Sequence, residues 1–278
     1  MLPFNIDYYK PKSIEEAVEL FALLKRDHKR ALYYSGGTEI LTLGRLNLLH
    51  FDAVIDIKSV KECLVFDFYQ NRLVSGAALP LTLIEEKNLF PLLSAVAKGV
   101  ADHTARNKIT LGGNICGQIF YREAILPFLL CDSDVVIAGE NGIEKLPIHS
   151  IFNGALQLAE GQFVIQLLTE QAYISMPFVS LKKRQQWETG YPLLTVSSIK
   201  VENRLRFAFS GVCPYPFRSK EMEDALNQTN MSLENRIQQA LESLPDHVLD
   251  DIEGSREYRL FVLKNTLEDI ILELEGKK

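Results

Sequence analysis

Two stretches of this chain pair adjacent glycines with a small polar residue directly after an apolar run. The first is Ser35-Gly36-Gly37-Thr38-Glu39, which follows Tyr33-Tyr34 and leads into Ile40. The second is Thr110-Leu111-Gly112-Gly113-Asn114-Ile115-Cys116-Gly117. Glycine has no Cβ and tolerates positive φ, so the backbone bends sharply and approaches a ligand closely. Successive N–H groups in such a bend form a concavity suited to anions. Two bends in one domain suit a ligand with more than one phosphate, gripped from two sides. The plain alternative is a pair of ordinary turns, since Gly-rich bends are common loop punctuation.

Other chemistries find little support. His28, His50, His103, His149 and His247 are scattered, with no Ser/His/Asp arrangement, and His103 is read as structural. Cys63, Cys116, Cys131 and Cys213 form no C-x-x-C pair, which argues against a zinc site or an iron–sulfur cluster built by this chain alone. Cys116, beside the second bend, is read as a small apolar filler, with an exposed thiol as the alternative. The chain has 278 residues, 47% hydrophobic and 24% charged, with net charge −6, the balance of an ordinary globular protein. No basic stripe interleaved with aromatics points to nucleic acid. Neither a secretory signal nor a membrane span is expected, so reduced thiols in the cytoplasm are the default.

The elements that position the bends follow from periodicity. Ser13-Ile14-Glu15-Glu16 has capping-box spacing and opens a helix running to about Arg26. Arg30 to Tyr34 reads as a strand, Thr38 as the cap of a short helix to about Arg45, and Ala53 to Ile57 as another strand. This order predicts a parallel α/β unit whose first bend lies at the carboxyl end of its strand, where open α/β sheets bind ligands. From Cys63 onward a hairpin around Tyr69–Arg72, helices at Thr82–Glu86 and Leu92–Asp102, and strands at Val135–Ala138 and Phe163–Ile165 predict a mixed, mainly antiparallel subdomain. Tyr121 to Leu130 reads as a buried helix interrupted by Pro127. Beyond about Ala172, a hairpin over Thr195–Lys200 and Leu205–Ser210 precedes helices at about Ser219–Leu226, Leu233–Leu244 and Arg256–Leu274. The expectation is an α+β / α/β chain: residues 1–172 as two α/β subdomains, about 1–57 and 58–172, then a small α+β domain over 173–278.

These residues resemble the FAD-binding medium subunit of the molybdenum hydroxylases, the xanthine and carbon monoxide dehydrogenase group. Tyr33 to Ile40 matches that family's apolar-Gly-Gly-Thr-Asp/Glu-apolar loop. Thr110 to Ile115 matches its Thr-Ile-Gly-Gly-Asn-Ile loop, preceded by Ala105-Arg106-Asn107. Phe207 to Arg218 resembles its C-terminal Phe-Gly-Gly-x-Ala-Pro-x-Pro-x-Arg segment. The likeness spans the whole chain and implies a PCMH-type FAD domain with the flavin between its subdomains, followed by a carbon monoxide dehydrogenase flavoprotein C-terminal-like domain.

The resemblance also implies roles. Tyr33, Tyr34, Ser35, Gly36, Gly37, Thr38, Glu39 and Ile40 would cradle the FAD pyrophosphate, with Glu39 turned away toward backbone amides or a ribityl hydroxyl. Thr110, Leu111, Gly112, Gly113 and Asn114 would close over it, with the Thr38 and Thr110 hydroxyls donating to phosphate. The family's aspartate for cofactor hydroxyls falls on Glu123, without the usual Pro-x-Ser-Asp around it. Val100 is either a cofactor contact or a helix core residue. Ile165 would lie near the flavin ring, and Lys182, with Lys183 as competitor, would offer an ammonium from a basic turn at Leu181–Arg184 to stabilise the reduced flavin. The implied protein is an electron relay without acid–base or nucleophilic residues. It would work beside a large molybdopterin subunit and a small [2Fe–2S] subunit, with NAD⁺, a quinone or oxygen as acceptor. A free-standing flavin oxidoreductase and a non-enzymatic nucleotide-binding protein are the alternatives.

Overall fold

The computed structural model describes residues 2–184 and 190–276. The first unit holds β1 (Asp7–Tyr9), α1 (Ile14–Arg26), β2 (Ala31–Tyr34), α2 (Thr38–Arg45) and β3 (Ala53–Asp56). The strands run parallel in the order β1-β3-β2, with Tyr34 opposite Asp56, so β2 and β3 end side by side. All four residues of β3 are buried, as the central strand requires. Ser13 caps α1 by accepting from Glu16 N–H, and the Glu16 carboxylate reaches back to the Lys12 amide. That is the expected box displaced by one residue.

The second unit contains β4 (Phe66–Tyr69), β5 (Arg72–Gly76), α3 (Leu81–Lys87), α4 (Pro91–Lys98), α5 (His103–Arg106), α6 (Leu111–Cys116) and α7 (Leu126–Leu130). It continues with β6 (Asp134–Gly139), β7 (Gly142–Pro147), α8 (Ile148–Ile151), the two-residue strands β8 (Phe152–Asn153) and β9 (Ala155–Leu156), and β10 (Phe163–Glu170). Its sheet is antiparallel throughout, in the order β4-β5-β10-β6-β7. Two sequence expectations need correction here. The helix from Leu92 ends at Lys98, and Ala101 turns the chain with φ of 48°. Pro127 does not interrupt a helix but sits in the first turn of α7, after a short 3₁₀ segment over Glu123–Ile125. The first turn leaves its N–H groups unbonded anyway, so proline is tolerated there.

The third unit follows α9 (Gln171–Ile174). It comprises β11 (Phe178–Lys183), β12 (Leu194–Val201), β13 (Arg204–Ser210), α10 (Lys220–Leu226), α11 (Leu233–Glu242) and α12 (Arg256–Leu274). The antiparallel order β11-β12-β13 places Lys182 opposite Thr195. The expected basic turn at Leu181–Arg184 is therefore largely the end of a strand. One face of this sheet sends Ile199 and Ala208 into the core of the second unit. The other buries Val196, Leu205, Phe207 and Phe209 under α10, α11 and α12. Alternation along β12 and β13 thus covers both faces of the sheet. Asp132 pins the two units together: it accepts from Arg206 Nη1 and Arg218 Nη1, each at 2.7 Å, and meets His149 Nε2 at 2.9 Å.

Candidate cofactor cleft

The first bend leaves the end of β2 and enters α2. Gly37 occupies the N-cap in the left-handed conformation, φ 70°, with a Cβ position that would overlap the Tyr34 ring. Gly37, not Thr38, is therefore the cap, and Thr38 begins the helix. The amides of Gly36, Gly37, Thr38, Glu39 and Ile40 have no acceptor among the described residues. They line a cleft with their donors unsatisfied at the positive end of a helix, an arrangement that takes an anion. Lys58 supports the bend from below: its Nζ donates to Ser35 C=O at 2.6 Å, pairs with Asp56 at 2.9 Å and lies 4.5 Å from the Tyr34 ring centre. Ser35 Oγ is buried with no hydrogen-bond partner among the described residues.

The second bend differs. Leu111 N–H donates to Leu79 C=O, Gly112 N–H to Ala77 C=O, Gly113 N–H to the Thr110 hydroxyl, and Asn114 N–H to Thr110 C=O. Four successive amides of this loop, Leu111 to Asn114, are thus engaged within the protein and do not face a ligand as those of the first bend do. What it offers the cleft is the Thr110 hydroxyl, which can still donate while it accepts, the open face of Gly113, and Asn114. The Asn114 carbonyl is held by the amide of Ala124 at 3.0 Å.

The two bends are in contact. A Cβ on Gly36 would stand 2.0 Å from Lys108 C=O. Glu39 accepts at 2.7 Å from the amide of Gln118. This agrees with the reading of Glu39 as turned toward backbone amides. Arg122 closes the far side by donating to Gly117 C=O at 3.0 Å and Gly154 C=O at 2.5 Å.

The remaining sequence-derived positions divide. Tyr33, Tyr34 and Val100 line the cleft, and Val100 also belongs to the core of the second unit. Tyr33 is sandwiched between Phe21 and Phe163 and donates to Gly161 C=O at 3.1 Å. Leu111 is fully buried in the core and does not reach the cleft. Ile165 does not either: it packs with Ile14, Phe21 and Ile55, while Val164 lines the cleft. A bulge after Val164 shifts the alternation of β10 by one residue. Glu123 and Lys182 both line the cleft and meet each other at 2.6 Å. Burial pulls the Lys182 ammonium below its usual range, with Glu123 opposing. Lys183 is not on the cleft wall; it faces Asp269.

Sequence reasoning missed Tyr121 and Tyr191, whose rings stack with centres 4.9 Å apart at the cleft wall. Their separation in sequence gives no local signal for that pairing. Cys116 proves exposed on the same wall, against its reading as filler. The cleft encloses about 1030 Å³, at the upper end of the roughly 300–1,000 Å³ of small-molecule sites. No group of three or more His, Cys, Asp or Glu arranged for a metal ion occurs among the described residues. No helix among them is long and apolar enough to cross a membrane.

A long cleft between a parallel and an antiparallel α/β unit, with unpaired amides at one wall, defines a nucleotide-cofactor domain. The family model described as the FAD binding domain in molybdopterin dehydrogenase matches residues 3–168, and the chain belongs to that family of oxidoreductase components. The chain is 23% identical to the xanthine dehydrogenase FAD-binding subunit of Escherichia coli O157:H7, covering 96% of this chain and 94% of that one. It is 27% identical to the carbon monoxide dehydrogenase medium chain of Hydrogenophaga pseudoflava, over 78% of each. Among solved structures, carbon monoxide dehydrogenase from Hydrogenophaga pseudoflava superposes with a TM-score of 0.86 at 22% identity, covering 98% of this chain and 97% of that one. Quinoline 2-oxidoreductase from Pseudomonas putida 86 gives 0.85 at 21%, covering 99% of each. The resemblance read from the glycine loops is thus borne out for family and fold.

Proposed function

We propose that this chain is the FAD-carrying electron-transfer subunit of a molybdopterin-dependent hydroxylase. The observation that carries the reading is the run of five unpaired amides, Gly36 to Ile40, on the cleft wall. They suit the pyrophosphate of FAD, with Ser35, Thr38 and Thr110 adding hydroxyls and Gly113 and Asn114 closing the opposite side. Val100, Val164 and the stacked Tyr121 and Tyr191 supply apolar wall. Residues 1–172 then form the cofactor domain and 173–278 the domain that completes the cleft.

Bound FAD accepts and releases electrons; the protein binds it, orients it and tunes its electrostatics. In this reading electrons reach the cleft from [2Fe–2S] clusters on a small partner subunit, which drains a molybdenum site on a large one. NAD⁺ or another acceptor then takes them, in the cytoplasm. The names of the relatives support a subunit role: those proteins are called FAD-binding subunits and medium chains.

The test is to load the purified chain with FAD and mix it with the products of candidate partner genes. The expected outcome is one FAD per chain and co-elution with a molybdopterin and an iron–sulfur subunit. A flavin-loaded chain that oxidises a substrate without partners would contradict the subunit role, and a chain that takes up no flavin would contradict the cofactor.

A further inference from the structure

Among the described residues three carboxylates line the cleft, and each is committed differently. Glu39 holds the Gln118 amide, and Asp102 caps α5 by accepting from Ala105 N–H at 2.7 Å. Glu123 is the one that meets a cation. Its side chain is 4% exposed, and its Oε1 receives both Lys182 Nζ at 2.6 Å and the Thr195 hydroxyl at 2.8 Å. Lys182, 15% exposed, also donates to Gly99 C=O at 2.6 Å. Arg184 donates to that same carbonyl, and Arg106 donates to the carbonyls of Val100 and Ala101 and to Glu85. Lys182, Arg184 and Arg106 thus gather around the carbonyl end of α4, and the carboxylate that faces the cleft there is Glu123.

Removed from water, charges interact far more strongly than on the surface. A carboxylate 2.6 Å from an ammonium cancels most of its field at the distance of a bound ligand. Glu123, the residue that the family resemblance assigned to cofactor hydroxyls, already serves two protein donors through Oε1. Given the flavin reading above, on which this rests, we infer that Glu123 is a positioning residue: the counter-ion that restrains Lys182 and thereby lowers the reduction potential of the flavin in the cleft. Thr195 fixes the carboxylate, since its position opposite Lys182 in the β11–β12 ladder puts its hydroxyl on the same Oε1.

The test compares the full chain reconstituted with FAD and its variants by spectroscopic redox titration, alongside FAD affinity and thermal stability. Glu123→Gln removes the charge and keeps the shape. It should raise the midpoint so that the reduced-to-oxidised ratio at fixed ambient potential climbs about tenfold, about 30 mV for a two-electron couple. Lys182→Met should shift it the opposite way, and the double variant should return close to the wild-type value. Thr195→Val should give a smaller rise than Glu123→Gln. If Glu123→Gln does not fold, Glu123→Asp, which withdraws the carboxylate by one methylene, should still raise the midpoint. An unchanged midpoint in Glu123→Gln, or in Glu123→Asp where that variant stands in, would overturn the inference. So would loss of FAD binding at unchanged stability, which would make Glu123 a direct cofactor ligand. A wild-type chain that takes up no FAD would instead sink the reading beneath it.

Discussion

The Glu39 carboxylate accepts a 2.7 Å hydrogen bond from the amide of Gln118, joining two glycine bends that lie far apart in sequence. Glu39 stands in the first turn of α2, where an acidic side chain is favoured, while the neighbouring amides stay free for a ligand. Glu39→Ala should unclasp the bends. A charge-assisted hydrogen bond contributes about 1.5–3 kcal/mol, less where partly solvated, so FAD affinity should fall about tenfold by fluorescence titration. The melting temperature should move by only a few degrees.

The glycines are not equivalent. A methyl on Gly36 would stand 2.0 Å from Lys108 C=O, which is backbone and cannot rotate away. Gly36→Ala should therefore destabilise the fold by roughly 2–4 kcal/mol, through strain and a displaced bend. A Cβ on Gly113 meets only the Thr110 hydroxyl, at 2.9 Å. Gly113→Asp adds an anion to the cleft wall at a helix position that accepts one. It should keep its circular dichroism spectrum yet lose FAD affinity by about a hundredfold, about 2.7 kcal/mol.

Asp132 gives the fold an acid-sensitive joint. Burial alone would raise its carboxyl, but His149, Arg218 and Arg206 outweigh that and hold it well below the usual carboxylate range. The folded chain thus binds the proton more weakly than the unfolded chain. The stabilisation is complete above the unfolded value of about 3.9 and declines as pH falls below it toward the depressed folded value. Urea unfolding between about pH 5 and pH 3 should show this loss, and Asp132→Asn should flatten the slope.

Arg259, on α12, is fully buried inside the last unit. Its guanidinium donates to the carbonyls of Leu193, Gly211 and Leu249 and pairs with Asp251 at 2.6 Å. Arg259→Met would leave several buried acceptors unmatched, each costing about 1–3 kcal/mol, so denaturation should show a loss of about 3 kcal/mol or more.

The parts written in local pattern were readable before folding. Capping and 3.6-residue periodicity marked α1, α11 and α12, and the Gly-Gly pairs marked both walls of the cleft. The segment resembling the family's C-terminal signature ends in Arg218, which ties Asp132 to Glu223. What depends on distant pairing was not readable. The β10 bulge exchanges Val164 for Ile165 at the cleft, and the engagement of the second bend's amides requires the carbonyls of Ala77 and Leu79. Leu181–Arg184 reads as a basic turn because the end of a short basic strand has no signature until β12 pairs with it. The Glu123–Lys182 contact likewise exists only once the third sheet docks.

Calorimetric titration of the purified chain with FAD and, separately, with riboflavin tests the central claim most directly, because riboflavin lacks the pyrophosphate. If the free amides from Gly36 to Ile40 hold that group, FAD should bind one per chain and at least about a hundredfold more tightly than riboflavin. Equal affinities, or no binding of FAD, would contradict it.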